Sequence, residues 1–132
     1  MKQKNKHIFV FGIFAVDLSF YVDKKVKPGE TIIAKSSNIG PGGKASNQAI
    51  SARKLGGSTT LITRLGNDNF NSYANDIWRK EKLFASTKID KNLPTGMAGI
   101  FIDDKTGENS VIVDPGASAH LSIDCLLYTS DA

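Results

Sequence analysis

The feature that most constrains the fold lies near the amino terminus, where the uncharged run Ile8–Val16 (IFVFGIFAV) ends directly at Asp17. It is far shorter than the roughly 20 apolar residues a membrane-spanning helix needs. Preceded by Lys2, Lys4 and Lys6, it imitates the basic and apolar parts of a secretory leader. Phe, Ile and Val dominate it, however, and no small-x-small cleavage site precedes Asp17. The run therefore predicts a fully buried strand of a parallel sheet, placed at His7–Phe14, in a cytoplasmic protein.

The segments that follow alternate in type. Leu18–Val26 and Thr31–Ile39 read as extended, joined through a Pro28-Gly29 turn into a hairpin. Ala45, Ala49, Ile50, Ala52 and Leu55 mark a helix that Gly56-Gly57 terminates. Thr59–Leu65 (TTLITRL) is strand-like. Beyond it Asp68 or Asn69 caps a helix whose apolar residues Phe70, Tyr73, Ala74, Ile77 and Trp78 share one face. Ser86–Ile89 suggests a short strand, and Gly99–Asp103 with Ser110–Asp114 a second hairpin around a polar turn. Strands alternating with helices, with hairpins inserted, make the class α/β.

Composition narrows the function. The chain is 40% hydrophobic and 23% charged, as expected of a globular domain rather than a disordered one. A single cysteine among 132 residues excludes a disulfide scaffold and a cysteine-based zinc site. Seventeen Lys and Arg against 13 Asp and Glu leave a formal charge of +4. The lysines are scattered, without an arginine-rich helix or interleaved aromatics, so neither a nucleic-acid partner nor a membrane is expected.

Three of the 12 glycines cluster at Gly40-Pro41-Gly42-Gly43, before Lys44-Ala45-Ser46-Asn47. A P-loop would need glycine at position 38 and Ser or Thr at position 45, where Asn38 and Ala45 stand. A dinucleotide fingerprint counted from Gly40 would need glycine at 45. Both motifs fail. Adjacent glycines at a helix start still allow a ligand close to the backbone, where unpaired N–H groups meet its oxygens. Lys44 adds a cation and Asn47 an amide that donates and accepts, a set suited to a polyhydroxylated ligand. Asp17, just past a strand's carboxyl end, lies where open α/β sheets bind ligands and could accept from two vicinal hydroxyls. These residues alone leave open two bland readings: glycines that only permit tight strand-to-helix packing, and an ordinary loop aspartate.

Taken in order, Gly12…Asp17, Pro28-Gly29-Glu30-Thr31, Gly42-Gly43-Lys44-Ala45-Ser46-Asn47-Gln48-Ala49, Gly66-Asn67-Asp68 and Pro94-Thr95-Gly96 resemble the N-terminal part of a ribokinase-like (PfkB family) carbohydrate kinase. The stretch G-G-K-x-x-N-Q-A is specific, and the match in order and spacing runs along nearly the whole chain. The resemblance implies a Rossmann-type sheet with helices on both faces plus a small β lid, with lid segments at about 18–40 and 96–114. It implies ATP-dependent phosphorylation of a sugar hydroxyl, with Mg2+ and a monovalent cation as cofactors and a homodimer formed through the lids. By the same resemblance Asp17, Gly42, Gly43, Lys44 and Asn47 hold the sugar.

Three positions depart from the pattern. Where ribose kinases of this family read G-S-x-N-x-D, this chain has Ala15, which cannot make the asparagine's amide contact, so ribose itself is not implied. Ala45 replaces a common glycine, and Asn71 stands where many members have one. The family's catalytic aspartate belongs to a G-A-G-D stretch that this sequence lacks, and its ATP-binding half is expected to be missing too. Residues 1–124 are therefore expected to be the incomplete N-terminal part of a kinase domain, carrying the sugar-binding half and inactive alone. Cys125–Ala132 (CLLYTSDA) resemble a translated transposon-end sequencing adapter and are expected to be a non-native tail. A nucleoside kinase of the same family, or a sugar-binding or regulatory protein without phosphoryl transfer, are the competing expectations.

Overall fold

The computed structural model describes residues 6–130, with side chains described through Leu126. Lys2, Lys4 and the last two tail residues lie outside that range. Strands β1 (His7–Phe11), β4 (Ser58–Gly66) and β5 (Phe84–Asp90) form a parallel sheet in the order β1-β4-β5. Strands β2 (Ala15–Val22), β3 (Ser36–Gly42), β6 (Gly96–Asp103) and β7 (Asn109–Asp114) form a second sheet in the order β3-β2-β6-β7. Helices α1 (Lys44–Lys54) and α2 (Asn69–Lys80) connect the parallel strands. A 3-10 turn, Gly116–His120, and α3 (Ile123–Ser130) follow β7.

The opening apolar run corrects the expectation drawn from it. It is not one strand but two, broken at Gly12–Phe14 and divided between the sheets. A side chain on Gly12 would stand 2.6 Å from the Ala45 Cβ, so the start of α1 crosses the chain where it turns. Nor is β1 fully buried: it is an edge strand of the three-stranded sheet, and Ile8, Phe9 and Phe11 are 41%, 63% and 45% exposed. The buried part of the run is its far end, Phe14 to Val16.

The core forms between α1, α2 and one face of the parallel sheet. Small residues Ala45 and Ala49 bring α1 close to Leu61 and Leu65 of β4, while Ala74 and Trp78 of α2, with Leu83 just before β5, close the layer. Trp78 anchors it. Its ring meets Phe14 edge-on at 5.2 Å, and its Nε1–H donates to Ser46 Oγ at 3.0 Å, so the buried indole keeps a partner. Of the two expected caps for α2, Asp68 is the one used, accepting from the Asn71 amide at 3.0 Å. On the opposite face Arg64 of β4 pairs with Asp90 and donates to the His120 carbonyl, fixing the 3-10 turn there.

The two hairpins join into a single sheet because β2 and β6 pair in parallel along their whole length, Ala15 opposite Gly96 through Val22 opposite Asp103. Strands from both segments, 18–40 and 96–114, thus lie in one four-stranded sheet, with residues 23–35 between β2 and β3 outside its strands. The Pro28-Gly29 turn closes with the Glu30 amide on the Lys27 carbonyl at 3.0 Å. Among the described residues no helix is long and apolar enough to cross a membrane.

Candidate functional site

Asp17 lies on β2, level with Gly40 of β3 on one side and Ala98 of β6 on the other. Two residues before it, Ala15 is level with Gly42, the last residue of β3. The Asp17 carboxylate leans across Gly42: a Cβ there would lie 2.2 Å from Oδ1 and 2.5 Å from Oδ2. Glycine at 42 is thus what gives the carboxylate its place. Gly43 comes next with φ of 88°, and its missing side chain faces the Ile13 carbonyl at 2.4 Å. Only glycine meets both conditions, positive φ and close backbone approach.

Gly43 is also the N-cap of α1, and it supplies no side-chain hydrogen bond to the helix. The first turn carries no acidic residue either, so its N–H groups and the positive end of the helix dipole are left for something else. Lys44 and Asn47 stand exposed on this first turn, and Ser46 is turned inward to Trp78. Among the described residues no donor reaches the Asp17 carboxylate, and Lys44 forms no ion pair with it. Partial burial pushes the Asp17 carboxyl above the ordinary carboxylate range. A half-buried carboxylate without a donor beside a helix start without a side-chain cap is a complementary pair. It can accept from hydroxyls on one side and donate to their oxygens on the other.

The structure thus sets the Asp17 carboxylate against Gly42, and Gly43, next in the chain, starts α1 with Lys44 and Asn47 exposed on its first turn. A cavity of about 290 Å³, bordered by Val22, Lys25, Phe101 and Glu108, sits toward the far end of the four-stranded sheet.

Residue-by-residue reasoning overlooked a second polar cluster around Asp68 and Thr95. Asp68 Oδ2 accepts from the Thr95 amide at 2.7 Å and Oδ1 from the Thr95 hydroxyl at 2.8 Å. Burial alone would raise the Asp68 pKa, but the bonds from Thr95 and from the Asn71 and Phe70 amides outweigh it and hold the group below its ordinary value. The segments Gly66-Asn67-Asp68 and Pro94-Thr95-Gly96 were visible as motif pieces. Their contact across 27 residues was not.

A profile of pfkB family carbohydrate kinases matches residues 5–132. The chain belongs to that family. It is 35% identical over 113 residues to a ribokinase of Dictyostelium discoideum, covering 85% of this chain and 35% of the relative. It is 36% identical over 118 residues to a deoxyribokinase of Salmonella typhi, covering 87% and 38%. The fold matches the structure of ribokinase from Giardia lamblia with a TM-score of 0.84 at 29% identity, over 91% of this chain and 39% of that one. Ribokinase from Thermotoga maritima gives a TM-score of 0.79 at 38% identity, over 89% and 39%. The chain therefore spans little more than a third of the length of these relatives, and the family's α/β fold is present over that part.

Proposed function

We propose that this chain is the sugar-binding part of an ATP-dependent carbohydrate kinase whose complete form transfers the γ-phosphoryl group of ATP to a sugar hydroxyl. The observation that carries the reading is the Asp17 carboxylate, lodged against Gly42 with no donor among the described residues, beside the start of α1, which has no side-chain cap. In this reading Asp17 accepts hydrogen bonds from two neighbouring hydroxyls of the sugar. The amides at Gly42 and Gly43 line the close approach, and Lys44 and Asn47 hold the sugar's outer oxygens. None of these residues is a catalytic base. Phosphoryl transfer depends on positioning and on stabilising charge at the transferred group. The groups that would do this, with ATP, Mg2+ and a monovalent cation, belong to sequence outside these 132 residues. The arrangement is supported by a relative from Arabidopsis thaliana, a ribokinase complexed with ribose and ATP, which matches with a TM-score of 0.75 over 95% of this chain and 42% of that one.

The four-stranded sheet acts in this proposal as the lid over the sugar and as the contact with a second copy. Its exposed Ile39, Val111, Ile112 and Val113 support the second role. Residues 1–124 form the kinase part and 125–132 a non-native tail, and the protein works in the cytoplasm. Ala15 leaves the site without an amide two residues before Asp17, so the sugar differs from ribose at the hydroxyl that amide would meet. A nucleoside substrate is the competing reading, favoured by a TM-score of 0.77 to a nucleoside kinase of Methanocaldococcus jannaschii at 29% identity.

The test is to recover the complete gene and assay its product with Mg-ATP against pentoses, 2-deoxypentoses, hexoses and nucleosides. Phosphorylation of a free sugar, abolished in Asp17→Ala, is the expected result. Turnover of nucleosides alone would replace the reading with its competitor, and binding without turnover would make the protein a sugar receptor.

A further inference from the structure

We infer that Asp68 is a positioning residue for the four-stranded sheet: its carboxylate grips Thr95 at the point where the chain passes into β6, and so sets where that sheet stands on the parallel sheet. Capping α2 explains only part of its contacts. A cap needs one acceptor oxygen, and Oδ1 supplies it to the Asn71 amide. The other oxygen, Oδ2, accepts from the Thr95 amide at 2.7 Å, and Oδ1 also accepts a hydrogen bond from the Thr95 hydroxyl at 2.8 Å. That hydroxyl in turn accepts from the Gly66 amide at 3.0 Å, at the carboxyl end of β4. Thr95 is fully buried, and β6 begins at the next residue.

The surroundings hold the same crossing from both sides. A side chain on Gly66 would stand 2.5 Å from the Leu93 carbonyl and the Thr95 amide, and one on Gly116 would stand 2.2 Å from the Pro94 carbonyl. The segment 93–95 therefore runs between two backbones with no room to shift. The Ala117 amide donates to the Pro94 carbonyl at 2.7 Å, tying the exit from β7 to the entry into β6. Ser118 Oγ lies 3.2 Å from both the Phe14 and the Arg64 carbonyls, so the entry into β2 is bound to the same point. Asp68 joins the start of α2 to the entry into β6, while Asp90 Oδ1 accepts from the Leu93 amide at 3.0 Å just before the crossing. Asp17 stands on β2, paired along its length with β6, so the junction also sets the position of the candidate site. The inference does not depend on what Asp17 binds.

Asparagine separates the two roles. Asp68→Asn keeps the acceptor that caps α2 but turns an N–H toward the Thr95 amide. Thr95→Val removes the hydroxyl at nearly constant volume and leaves the cap untouched, and Thr95→Ser restores the hydroxyl. The experiment is native-state amide exchange followed by NMR on the 132-residue chain. Asp68→Asn and Thr95→Val should speed exchange at the start of β6 and in Ala15–Leu18 by about tenfold or more, the scale of one buried unpaired group. Amides of α1, α2 and β4 through Leu65 should hold their rates, while the Gly66 amide, which loses its acceptor in Thr95→Val, should exchange faster there, and Thr95→Ser should behave like the unmodified chain. Acceleration spread evenly over all elements would overturn the inference, as would acceleration confined to α2 or none at all. If Asp68→Asn does not fold, the Thr95→Val and Thr95→Ser pair makes the same comparison.

Discussion

Gly42→Ala is the sharpest perturbation the site offers, because the atoms it meets are all functional ones. The three atoms nearest an added methyl are Asp17 Oδ1, Cγ and Oδ2, at 2.2 to 2.5 Å. No backbone atom is among them, and Gly42 is not held at positive φ, so the strand itself tolerates alanine. What must yield is the end of a short side chain with two free torsions. Overpacking a fixed core costs about 1–3 kcal/mol; here the carboxylate can swing away, which puts the cost near 1 kcal/mol. For a chain of this size that is a fall in Tm of about 4 °C. The functional cost is larger, since the carboxylate leaves its position against the helix start. The assay is a double-mutant cycle in urea on the 132-residue chain. Gly42→Ala should cost about 1 kcal/mol alone and close to nothing in an Asp17→Ala background, a coupling expected of residues in direct contact. Equal costs in both backgrounds would refute the reasoning, because the clash would then lie with the backbone and not with Asp17.

Three other outcomes follow from the same contacts. Asp17→Asn should raise stability slightly at neutral pH: burial lifts the folded carboxyl above its unfolded value, so the ionised group opposes folding at and above that range. The advantage over the unmodified chain should shrink as pH falls through the raised folded-state value and be largely gone below the unfolded value of about 4, and urea titrations at pH 7 and pH 3.5 compare the two. Ser46→Ala should cost about 1–3 kcal/mol by leaving the buried Trp78 Nε1–H without an acceptor, with a shift in Trp78 fluorescence as the second readout. Sequencing the source locus should show the reading frame departing from CLLYTSDA after Asp124; a genomic frame that encodes those residues would make them native.

Much of the fold was legible because it is local. The spacing of Phe70, Tyr73, Ala74, Ile77 and Trp78 anticipates α2 closely, and Asp68 before it acts as the cap. The β-branched run after Gly57 anticipates β4, and the glycine pair anticipates both the end of β3 and the start of α1. The misreading at Ile8–Val16 has a tertiary cause. An unbroken apolar run carries no mark of the bend at Gly12, which exists because Ala45 packs there. Its burial depends on neighbours to β1 that these residues do not supply. The parallel pairing of β2 with β6 joins segments some 80 residues apart and leaves no periodic trace in either. The site followed the same division: Asp17 and the Gly42-Gly43-Lys44 stretch were recognisable as chemistry, while the clamp at Thr95 needed the fold to bring its partners together.

The central claim is that Asp17 and the start of α1 form one sugar-binding surface. A ¹⁵N NMR titration of the 132-residue chain with a panel of pentoses and hexoses tests it most directly. The account predicts that at least one sugar shifts the resonances of Asp17 and of Gly42 through Asn47, and that Asp17→Ala abolishes those shifts. Shifts confined to the cavity beside Val22 and Phe101, or none with any sugar in the panel, would contradict it.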